Sequence, residues 1–346
     1  MEEKNVFTVK PAEGKPWDVV IIGSGPAGLT AAIYTTRGAA STLILGGEKW
    51  GGQLMLTTTV DNYPALPGIQ GPDLMRKLRD HSTLFGGEFI EKNVERVDLN
   101  KSPYELLAGG KKYLAKSVII ATGADTKWLG VPGESKLLGR GVSSCAPCDA
   151  PFFKGKKVAI VGGGDSAMEE ASVLSKYATQ VLLIHRRDEF RASAAMQIKV
   201  FNNPKIEVFH CSEVLEVKGN QLLEKLKMKT WKQSKYFEQL KRKIEHHSSG
   251  VESEDGEFVY WTLPIQGLFV AVGHLPASEV FKGPIELDEK GYIVVHDHTK
   301  TNVLGVFVAG DVHDYHYKQA VTAAGFGCMA AMEAIKFLDE NKSGDK

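Results

Sequence analysis

The segment Trp17-Asp18-Val19-Val20-Ile21-Ile22-Gly23-Ser24-Gly25-Pro26-Ala27-Gly28 decides the fold of this chain. Its apolar run is typical of a buried strand, and it leads through G-x-G-x-x-G into an alanine-rich stretch that predicts a helix to about Arg37. The three glycines permit a tight turn, close approach of a pyrophosphate to the backbone, and packing of the helix on the strand. The segment predicts a dinucleotide-binding unit, although one such motif also fits a plain tight turn.

A second copy of this unit occurs later in the chain. The predicted strand Lys157-Val158-Ala159-Ile160-Val161 runs into a second glycine-rich turn and a helical stretch to about Tyr177. The candidate nucleotide-binding residues of this turn are Gly162, Gly164, Asp165, Ser166 and Ala167. Two copies in the same strand–turn–helix context favour two nucleotide sites over two incidental turns.

The residues after the second unit indicate which nucleotide it binds. The predicted strand Val181–Ile184 ends in His185-Arg186-Arg187, and Arg191 follows. An acid at this place would hydrogen-bond the ribose 2′-hydroxyl of NAD, whereas guanidinium groups bind a 2′-phosphate. We therefore expect NADPH here, with a solvated basic loop as the alternative.

The first unit has a different nucleotide signature. Its second strand, Thr42–Leu45, lacks the expected acid, and Glu48 is the nearest candidate for a ribose contact. Gly310 and Asp311 follow a late predicted strand, where a carboxylate can bind a ribityl or phosphate group, so FAD is the expected occupant. A Gly-Asp pair after a strand also fits an ordinary turn.

Composition excludes several classes of protein. The 346 residues include 43% apolar side chains, and 42 basic residues balance 42 acidic ones, so no overall charge attracts nucleic acid or anionic lipid. Met1 to Lys10 has no apolar core of a secretory signal, and no uninterrupted apolar run is long enough for a membrane span. We expect a cytoplasmic protein without a membrane or nucleic-acid partner.

Two of the four cysteines form a C-x-x-C motif, Cys145-Ala146-Pro147-Cys148. Such spacing favours a redox dithiol, with half of a zinc site and an inert pair as alternatives. Zinc normally needs a second pair of ligands, and Cys211 and Cys328 stand alone. The histidines at 296–298 and 313–316 are interpreted as solvated or packed side chains, so no metal is expected.

These motifs together resemble the low-molecular-weight, bacterial-type thioredoxin reductases, a class of pyridine nucleotide-disulfide oxidoreductases. The resemblance extends from Val19 to about Leu338 and covers Gly51-Gly52-Gln53-Leu54, Ala121-Thr122-Gly123, Cys145-Ala146-Pro147-Cys148-Asp149, His185-Arg186-Arg187, Gly310-Asp311 and Tyr317-Lys318-Gln319-Ala320, besides both glycine turns. It implies an α/β fold with two Rossmann-like, three-layer ββα domains, the second inserted in the first. The implied FAD domain comprises residues 1–128 and 265–346, and the implied NADPH domain comprises 129–264.

The resemblance also implies roles for individual residues. Cys145 would attack the disulfide of thioredoxin, Cys148 would face the flavin, and Asp149 would be the acid/base, although Asp149 alone also fits a helix or turn cap. The implied FAD-binding residues are Gly23, Gly25, Pro26, Ala27, Gly28, Glu48, Gly51, Gln53, Leu54, Asn62, Ala121, Thr122, Gly123, Gly310, Asp311, Lys318, Gln319 and Ala320. The family further implies a homodimer and a rotation of one domain on the other.

Some features depart from the family pattern or leave its acceptor open. Lys318 stands where arginine is common, and Pro147 stands where a residue other than proline is usual. The segment from about Lys229 to Trp261 is long and charged, and Phe237, Leu240 and Ile244 within it have helical spacing. It is read as a solvated extended hairpin, or else as a partner-recognition insert. A glutaredoxin-like or peroxiredoxin-linked protein could replace thioredoxin, and a redox sensor without turnover is a further alternative. A ferredoxin is disfavoured, because single-electron exchange with it needs no C-x-x-C motif.

Overall fold

A computed structural model describes residues 7–57 and 59–342 of the chain. Its strands are β1 (Trp17–Ile22), β2 (Thr42–Leu45), β3 (Glu88–Ile90), β4 (Val94–Asp98), β5 (Tyr104–Ala108), β6 (Lys111–Ile120), β7 (Ala124–Thr126), β8 (Val142–Ser143), β9 (Lys157–Gly162), β10 (Gln180–Ile184), β11 (Ile206–Phe209), β12 (Ser212–Gly219), β13 (Leu223–Trp231), β14 (Gly250–Glu254), β15 (Phe258–Pro264), β16 (Gly267–Ala271), β17 (His274–Pro276) and β18 (Val306–Val308). Its helices are α1 (Pro26–Arg37), α2 (Gly71–Leu84), α3 (Ala146–Asp149), α4 (Asp165–Leu174), α5 (Ala194–Phe201), α6 (Phe237–His247) and α7 (Ala320–Lys342).

The chain divides into two compact units. The first comprises Met1–Asp125 and His274–Lys346, and the second comprises Thr126–Gly273. The second unit ends at Gly273 rather than at residue 264, because β16 pairs in parallel with β9 in the middle of the second unit's sheet. A strand with that partner contributes to the second core and not to the first.

The first unit is built on a seven-stranded sheet in the order β3-β2-β1-β6-β5-β4, with β18 also paired to β6. Side chains of β1 alternate between the two faces of this sheet. Val19 and Ile21 pack with the alanines of α1 and α7, while Val20 and Ile22 pack in the core on the opposite face. Both faces of β1 are buried, so its sequence is a continuous apolar run.

Helix α7 is long and apolar enough to cross a membrane by length and composition alone. Its buried residues are mostly alanines, which pack with β1 and α1 in the core of the first unit. Small side chains let the helix approach its neighbours closely, and the core helix of a water-soluble domain has the same composition.

The second unit has three layers. A parallel sheet, β11-β10-β9-β16-β8, lies between helices on one side and an antiparallel sheet, β12-β13-β15-β14, on the other. Ile160 and Leu183 pack with α4 on the helical side. Leu182 packs with Trp261 on the side of the antiparallel sheet. The unit is therefore a ββα dinucleotide-binding domain, and the two units together give the predicted α/β class.

Strands β11 and β12 follow each other closely in sequence but belong to different sheets, because the backbone turns at Cys211, which has a φ of +49°. The prediction for the charged segment was wrong in detail. The charged segment is not only an extended hairpin, because α6 buries Leu240 and Ile244 in the core. The helical spacing of those two residues is confirmed.

Candidate functional site

The first glycine turn, Gly23–Gly28, joins β1 to α1. A Cβ on Gly28 would overlap the carbonyl oxygen of Gly23, so the helix packs directly on the turn. A Cβ on Gly25 would meet no atom within 4 Å, which leaves open space in front of the helix. Pro26 and Ala27 form the first turn of α1, whose N–H groups have no acceptor within the helix. This arrangement suits a pyrophosphate.

Other predicted residues of the first unit lie around this turn. Ser24 accepts a hydrogen bond of 3.0 Å from the N–H of Gly51 and donates to the carbonyl of Gly46, which fixes the loop after β2. Gln53 and Leu54 lie in a short 3₁₀ turn, Gly52–Leu56, and the Gln53 amide donates to Asp125 at 3.0 Å. Glu48, the candidate for a ribose contact, makes an exposed ion pair of 3.7 Å with Lys92 of the same chain.

The segments Ala121–Gly123 and Gly310–Asp311 follow neighbouring strands, β6 and β18. Thr122 donates a hydrogen bond of 2.7 Å to the carbonyl of Ala277, and the N–H of Ala121 bonds to Ile22 at the end of β1. A Cβ on Gly310 would lie 2.9 Å from the side chain of Ala27, so the Gly310 turn abuts the start of α1. The fold thus brings the late Gly-Asp pair to the first glycine turn.

Asp311 has an unusual environment. Its Oδ1 atom is buried without a hydrogen-bond partner among the described residues. Burial, and next the charge of Asp314, raise the pKa of Asp311 to about 7, and Lys318 opposes that rise. A buried carboxylate oxygen without a partner costs free energy, and a hydroxyl of a bound ribityl chain would satisfy it. This orphaned atom and the open space at Gly25 fit a flavin dinucleotide.

Asp314 is a positioning residue that the sequence analysis missed. This buried carboxylate accepts hydrogen bonds of 2.9 and 3.0 Å from the N–H groups of His316 and Tyr317, and so shapes the turn before Lys318. Lys318 has a φ of +49°, and its Nζ lies 3.1 Å from Nδ1 of His274. Burial and the neighbouring Lys318 charge lower the pKa of His274 to about 4. The Asx-turn tendency of an aspartate in a loop is the signal that could have found Asp314.

Gln319 and Ala320 lie at the start of α7. The side-chain oxygen of Gln319 accepts a hydrogen bond of 3.2 Å from the Asn62 amide, which brings together two predicted residues that are distant in sequence. His313, interpreted from the sequence as solvated or packed, packs edge-on against Phe326 with ring centroids 4.5 Å apart. In residues 7–57 and 59–342, no group of three or more His, Cys, Asp or Glu side chains is arranged to hold a metal.

The second glycine turn, Gly162–Ala167, repeats this geometry in the second unit. A Cβ on Gly162 would lie 2.5 Å from Ala167 and 2.6 Å from the Ala271 carbonyl oxygen, whereas a Cβ on Gly164 would meet nothing within 4 Å. Ser166 is exposed in the first turn of α4. Asp165 has a structural partner, because its carboxylate accepts hydrogen bonds of 2.7 and 2.9 Å from Ser193 at the start of α5.

The arginines lie at the end of β10. His185 is buried, with Nδ1 3.0 Å from the Gly162 carbonyl and Nε2 2.9 Å from the Glu189 carbonyl. Burial lowers the pKa of His185, although both backbone hydrogen bonds oppose that change. The N–H of Arg191 bonds to the Gly163 carbonyl at 2.8 Å, which ties the loop to the glycine turn. The side chains of Arg186, Arg187 and Arg191 are exposed, and Arg186 and Arg187 follow the end of β10 directly.

Cys145 and Cys148 form a disulfide at the start of α3, with their Cα atoms 5.3 Å apart. Cys145 is the N-cap residue, and Pro147 lies in the first turn, where a missing N–H costs the helix nothing. The N–H of Cys145 donates to Ser143 at 3.1 Å. Burial raises the pKa of Asp149, and a hydrogen bond from Ser143 partly offsets this. Asp149, a carboxyl group that can carry a proton, is therefore the residue directly after the redox-capable pair Cys145–Cys148.

Comparisons with known proteins agree with this geometry. The sequence profile of the pyridine nucleotide-disulphide oxidoreductases matches residues 17–327. The chain is 45% identical over 333 residues to a thioredoxin reductase of Streptomyces coelicolor, covering 95% of this chain and 96% of that protein. It is 45% identical to a thioredoxin reductase of Rickettsia prowazekii, covering 93% and 98%. The crystal structure of thioredoxin reductase from Streptococcus pyogenes superposes with a TM-score of 0.82 at 35% identity, covering 94% and 98%.

Proposed function

This chain belongs to the pyridine nucleotide-disulphide oxidoreductase family and, within it, to the thioredoxin reductases, so it is a disulfide reductase. We propose that NADPH is its electron donor, FAD its bound cofactor and thioredoxin its disulfide substrate. The Cys145–Cys148 disulfide beside Asp149 carries this proposal, because it lies in the same unit as the second glycine turn and the arginines. In the proposal the first unit holds FAD and the second holds NADPH.

The residues of the first unit fit the flavin. Gly23, Gly25 and the start of α1 bind the pyrophosphate, Asp311 accepts a hydrogen bond from the ribityl chain, and Lys318 supplies a positive charge near it. Asn62 and Gln319 act as a pair, since the Asn62 amide donates a hydrogen bond to the side-chain oxygen of Gln319. When bound, FAD would supply two-electron chemistry between a reduced nicotinamide and a disulfide.

The cysteines perform the thiol chemistry. Two electrons and a proton convert the Cys145–Cys148 disulfide to a thiol and a thiolate. The Cys145 thiolate attacks the partner's disulfide, which forms a mixed disulfide and releases one partner sulfur. Cys148 then loses its proton to the Asp149 carboxylate and attacks the Cys145 sulfur, which restores the disulfide and releases the second partner sulfur. Asp149 protonates the leaving sulfur, and its raised pKa keeps this carboxyl protonated at higher pH than usual.

Substitution of single cysteines tests this proposal. Cys145→Ser and Cys148→Ser should each abolish thioredoxin-dependent NADPH oxidation while the purified protein keeps its flavin absorbance, because one remaining sulfur cannot form the internal disulfide that accepts the electrons. Cys328→Ser, outside the pair, is the matched control and should retain turnover. Full activity in either variant of the pair would contradict the mechanism.

The choice of acceptor needs its own measurement. We expect purified thioredoxin to support faster NADPH oxidation than a glutaredoxin-like protein, a peroxiredoxin-linked protein or a ferredoxin at equal concentration. A higher rate with one of those acceptors would replace thioredoxin in the proposal. Persistence of the oxidised flavin spectrum after anaerobic NADPH addition would favour a sensor without turnover.

We also propose that the protein acts in the cytoplasm as a homodimer. Exposed apolar side chains form a stripe on α7, with Val321, Met329 and Met332 at helical spacing, and the exposed Tyr34 lies on α1, which packs against α7. Such a stripe is costly to leave in water, and a second copy of the chain would cover it. Sedimentation equilibrium that gives a monomer mass at micromolar concentration would rule out the dimer.

A further inference from the structure

The loop Arg186–Arg191, here called the arginine loop, contains two acids between its arginines, Asp188 and Glu189. A carboxylate this close to a guanidinium competes with a bound phosphate for it. Within residues 7–57 and 59–342, however, no ion pair joins Arg186, Arg187 or Arg191 to a carboxylate. Both acids of the loop have partners elsewhere.

Those partners lie at the beginning of the long charged segment between β13 and β15. Ser234 is buried, and its hydroxyl donates a hydrogen bond of 3.1 Å to Oδ1 of Asp188. Lys235, the next residue, lies 3.8 Å from the Glu189 carboxylate. Two consecutive residues of one segment thus contact the two consecutive acids of the arginine loop: Ser234 through a buried hydroxyl, and Lys235 through an exposed ion pair.

Ser234 is itself held in place. The N–H of Ser234 bonds to the carbonyl of Trp231 at the end of β13, and the Ser234 carbonyl accepts a bond of 3.0 Å from Phe237 at the start of α6. The ring of the neighbouring Tyr236 stacks on His210 with centroids 4.3 Å apart. The Ser234 hydroxyl is therefore fixed by the antiparallel sheet and by α6.

The Cys211 thiol is a third partner of this cluster. Its Sγ donates to Oδ1 of Asp188 at 2.6 Å. Burial, and next the hydrogen bond to Asp188, raise the pKa of Cys211 to about 11, so the sulfur remains a protonated donor at neutral pH. The same bond holds the pKa of Asp188 below its usual value, so Asp188 is an anion with two donors.

We propose that Ser234 and Lys235 are positioning residues that keep Asp188 and Glu189 away from the arginines and thereby set the preference for a 2′-phosphorylated nucleotide. This inference rests on the proposed binding of NADPH by Arg186 and Arg187. Without Ser234 and Lys235, Glu189 loses its cation and Asp188 keeps only the Cys211 thiol, which is a weak donor. The two carboxylates then pair with the neighbouring guanidinium groups, and a 2′-phosphate must displace them. A nucleotide without the 2′-phosphate does not meet this competition.

The test compares two probes by calorimetry on the intact flavoprotein: 2′,5′-ADP, which carries the 2′-phosphate, and 5′-AMP, which lacks it. In the double variant Ser234→Ala/Lys235→Ala we expect the affinity for 2′,5′-ADP to fall about three- to tenfold, as for the partial loss of one charge-assisted hydrogen bond. The affinity for 5′-AMP should stay within about twofold. Lys232→Ala is the matched control, because Lys232 pairs with Glu254 inside the segment and its loss removes the same charge.

A rescue distinguishes competition from general damage. Adding Asp188→Asn and Glu189→Gln to the double variant should restore 2′,5′-ADP binding, because the competing charges are then absent. Wild-type affinity in Ser234→Ala/Lys235→Ala, or no rescue, overturns the inference. If that variant does not fold, the variant Asp188→Asn/Glu189→Gln is measured by itself. Weaker binding of 2′,5′-ADP to it than to the wild type would contradict the idea that these acids compete with the phosphate.

One further variant separates this inference from the proposed function. Arg186→Gln/Arg187→Gln should lose 2′,5′-ADP affinity whatever Ser234 does. If it binds both probes like the wild type, the assignment of NADPH fails. If it loses 2′,5′-ADP while Ser234→Ala/Lys235→Ala does not, only the positioning role fails.

Discussion

Gly25 and Gly28 belong to one glycine turn, but alanine at these two positions should affect the free energy of unfolding to very different extents. Gly25 has a φ of −71°, which alanine adopts readily, and its Cβ would meet no atom within 4 Å. Gly28 is buried, and its Cβ would overlap the carbonyl oxygen of Gly23. The first substitution fills space in front of the helix, whereas the second forces α1 away from β1.

The magnitudes follow from these contacts. Gly25→Ala removes chain entropy from the unfolded state but is a poorer N-cap, so the free energy of unfolding of the apoprotein should change by less than about 1 kcal/mol. Gly28→Ala should lower it by about 2–3 kcal/mol, as for overpacking against fixed backbone. For FAD, Gly25→Ala blocks the approach of the pyrophosphate and should cost about 2 kcal/mol, or roughly thirtyfold in Kd.

Urea unfolding of both apoproteins, followed by circular dichroism, measures the first effect, and titration of FAD by quenching of its fluorescence measures the second. Gly164→Ala is the matched control in the second unit, where a Cβ also meets nothing within 4 Å, and it should leave FAD binding unchanged. If Gly25→Ala bound FAD within twofold of the wild type, the pyrophosphate would not lie at this turn. Unchanged stability of Gly28→Ala would refute the packing argument.

Three further predictions follow from the structure. Arg186→Gln/Arg187→Gln should raise the KM for NADPH about thirtyfold, as for about 2 kcal/mol of lost phosphate contact, while equal effects on NADPH and NADH in steady-state assays would contradict the assignment. Because the pKa of Asp311 is raised from 3.8 to about 7 in the folded chain, its stabilising contribution is complete below pH 4 and is lost as the pH rises through 7, by up to about 4 kcal/mol. Urea unfolding of the apoprotein at several pH values should therefore show a free energy of unfolding that decreases as the pH rises, and Asp311→Asn should remove that decrease. An identical pH profile in the variant would refute the assignment of the decrease to Asp311. Leu240→Ala should lower the free energy of unfolding by about 2–4 kcal/mol, because the Leu240 side chain of α6 is buried in the core and only 1% exposed. A loss below about 0.5 kcal/mol would contradict that packing.

Local signals predicted the parts of the fold that repeat. β1 and β9 are apolar runs that end in glycines, and α1 and α4 follow these turns at once, so neighbouring residues alone identify both units. The spacing of Leu240 and Ile244 was compatible with α6, although the segment was interpreted as an extended hairpin. Such features depend on the periodicity of a few consecutive residues, and the sequence contains that information directly.

Features that depend on distant partners were not predicted. The sequence around Cys211 does not show that the chain turns there, because β11 and β12 are distinguished only by the different sheets that they join. β16 belongs to the second unit because of its pairing with β9, and its own residues do not reveal that partner. The role of Asp314 depends on the turn that it shapes before Lys318.

The sequence by itself determined the two glycine turns, the sulfur pair and the basic loop, because each is a short run of residue types whose chemistry is local. Only the tertiary structure decided that Asp311 has a buried oxygen without a partner and that Ser234 and Lys235 hold the acids of the arginine loop. Burial and long-range hydrogen bonds arise when distant segments pack together, and no pattern of neighbouring residues specifies them.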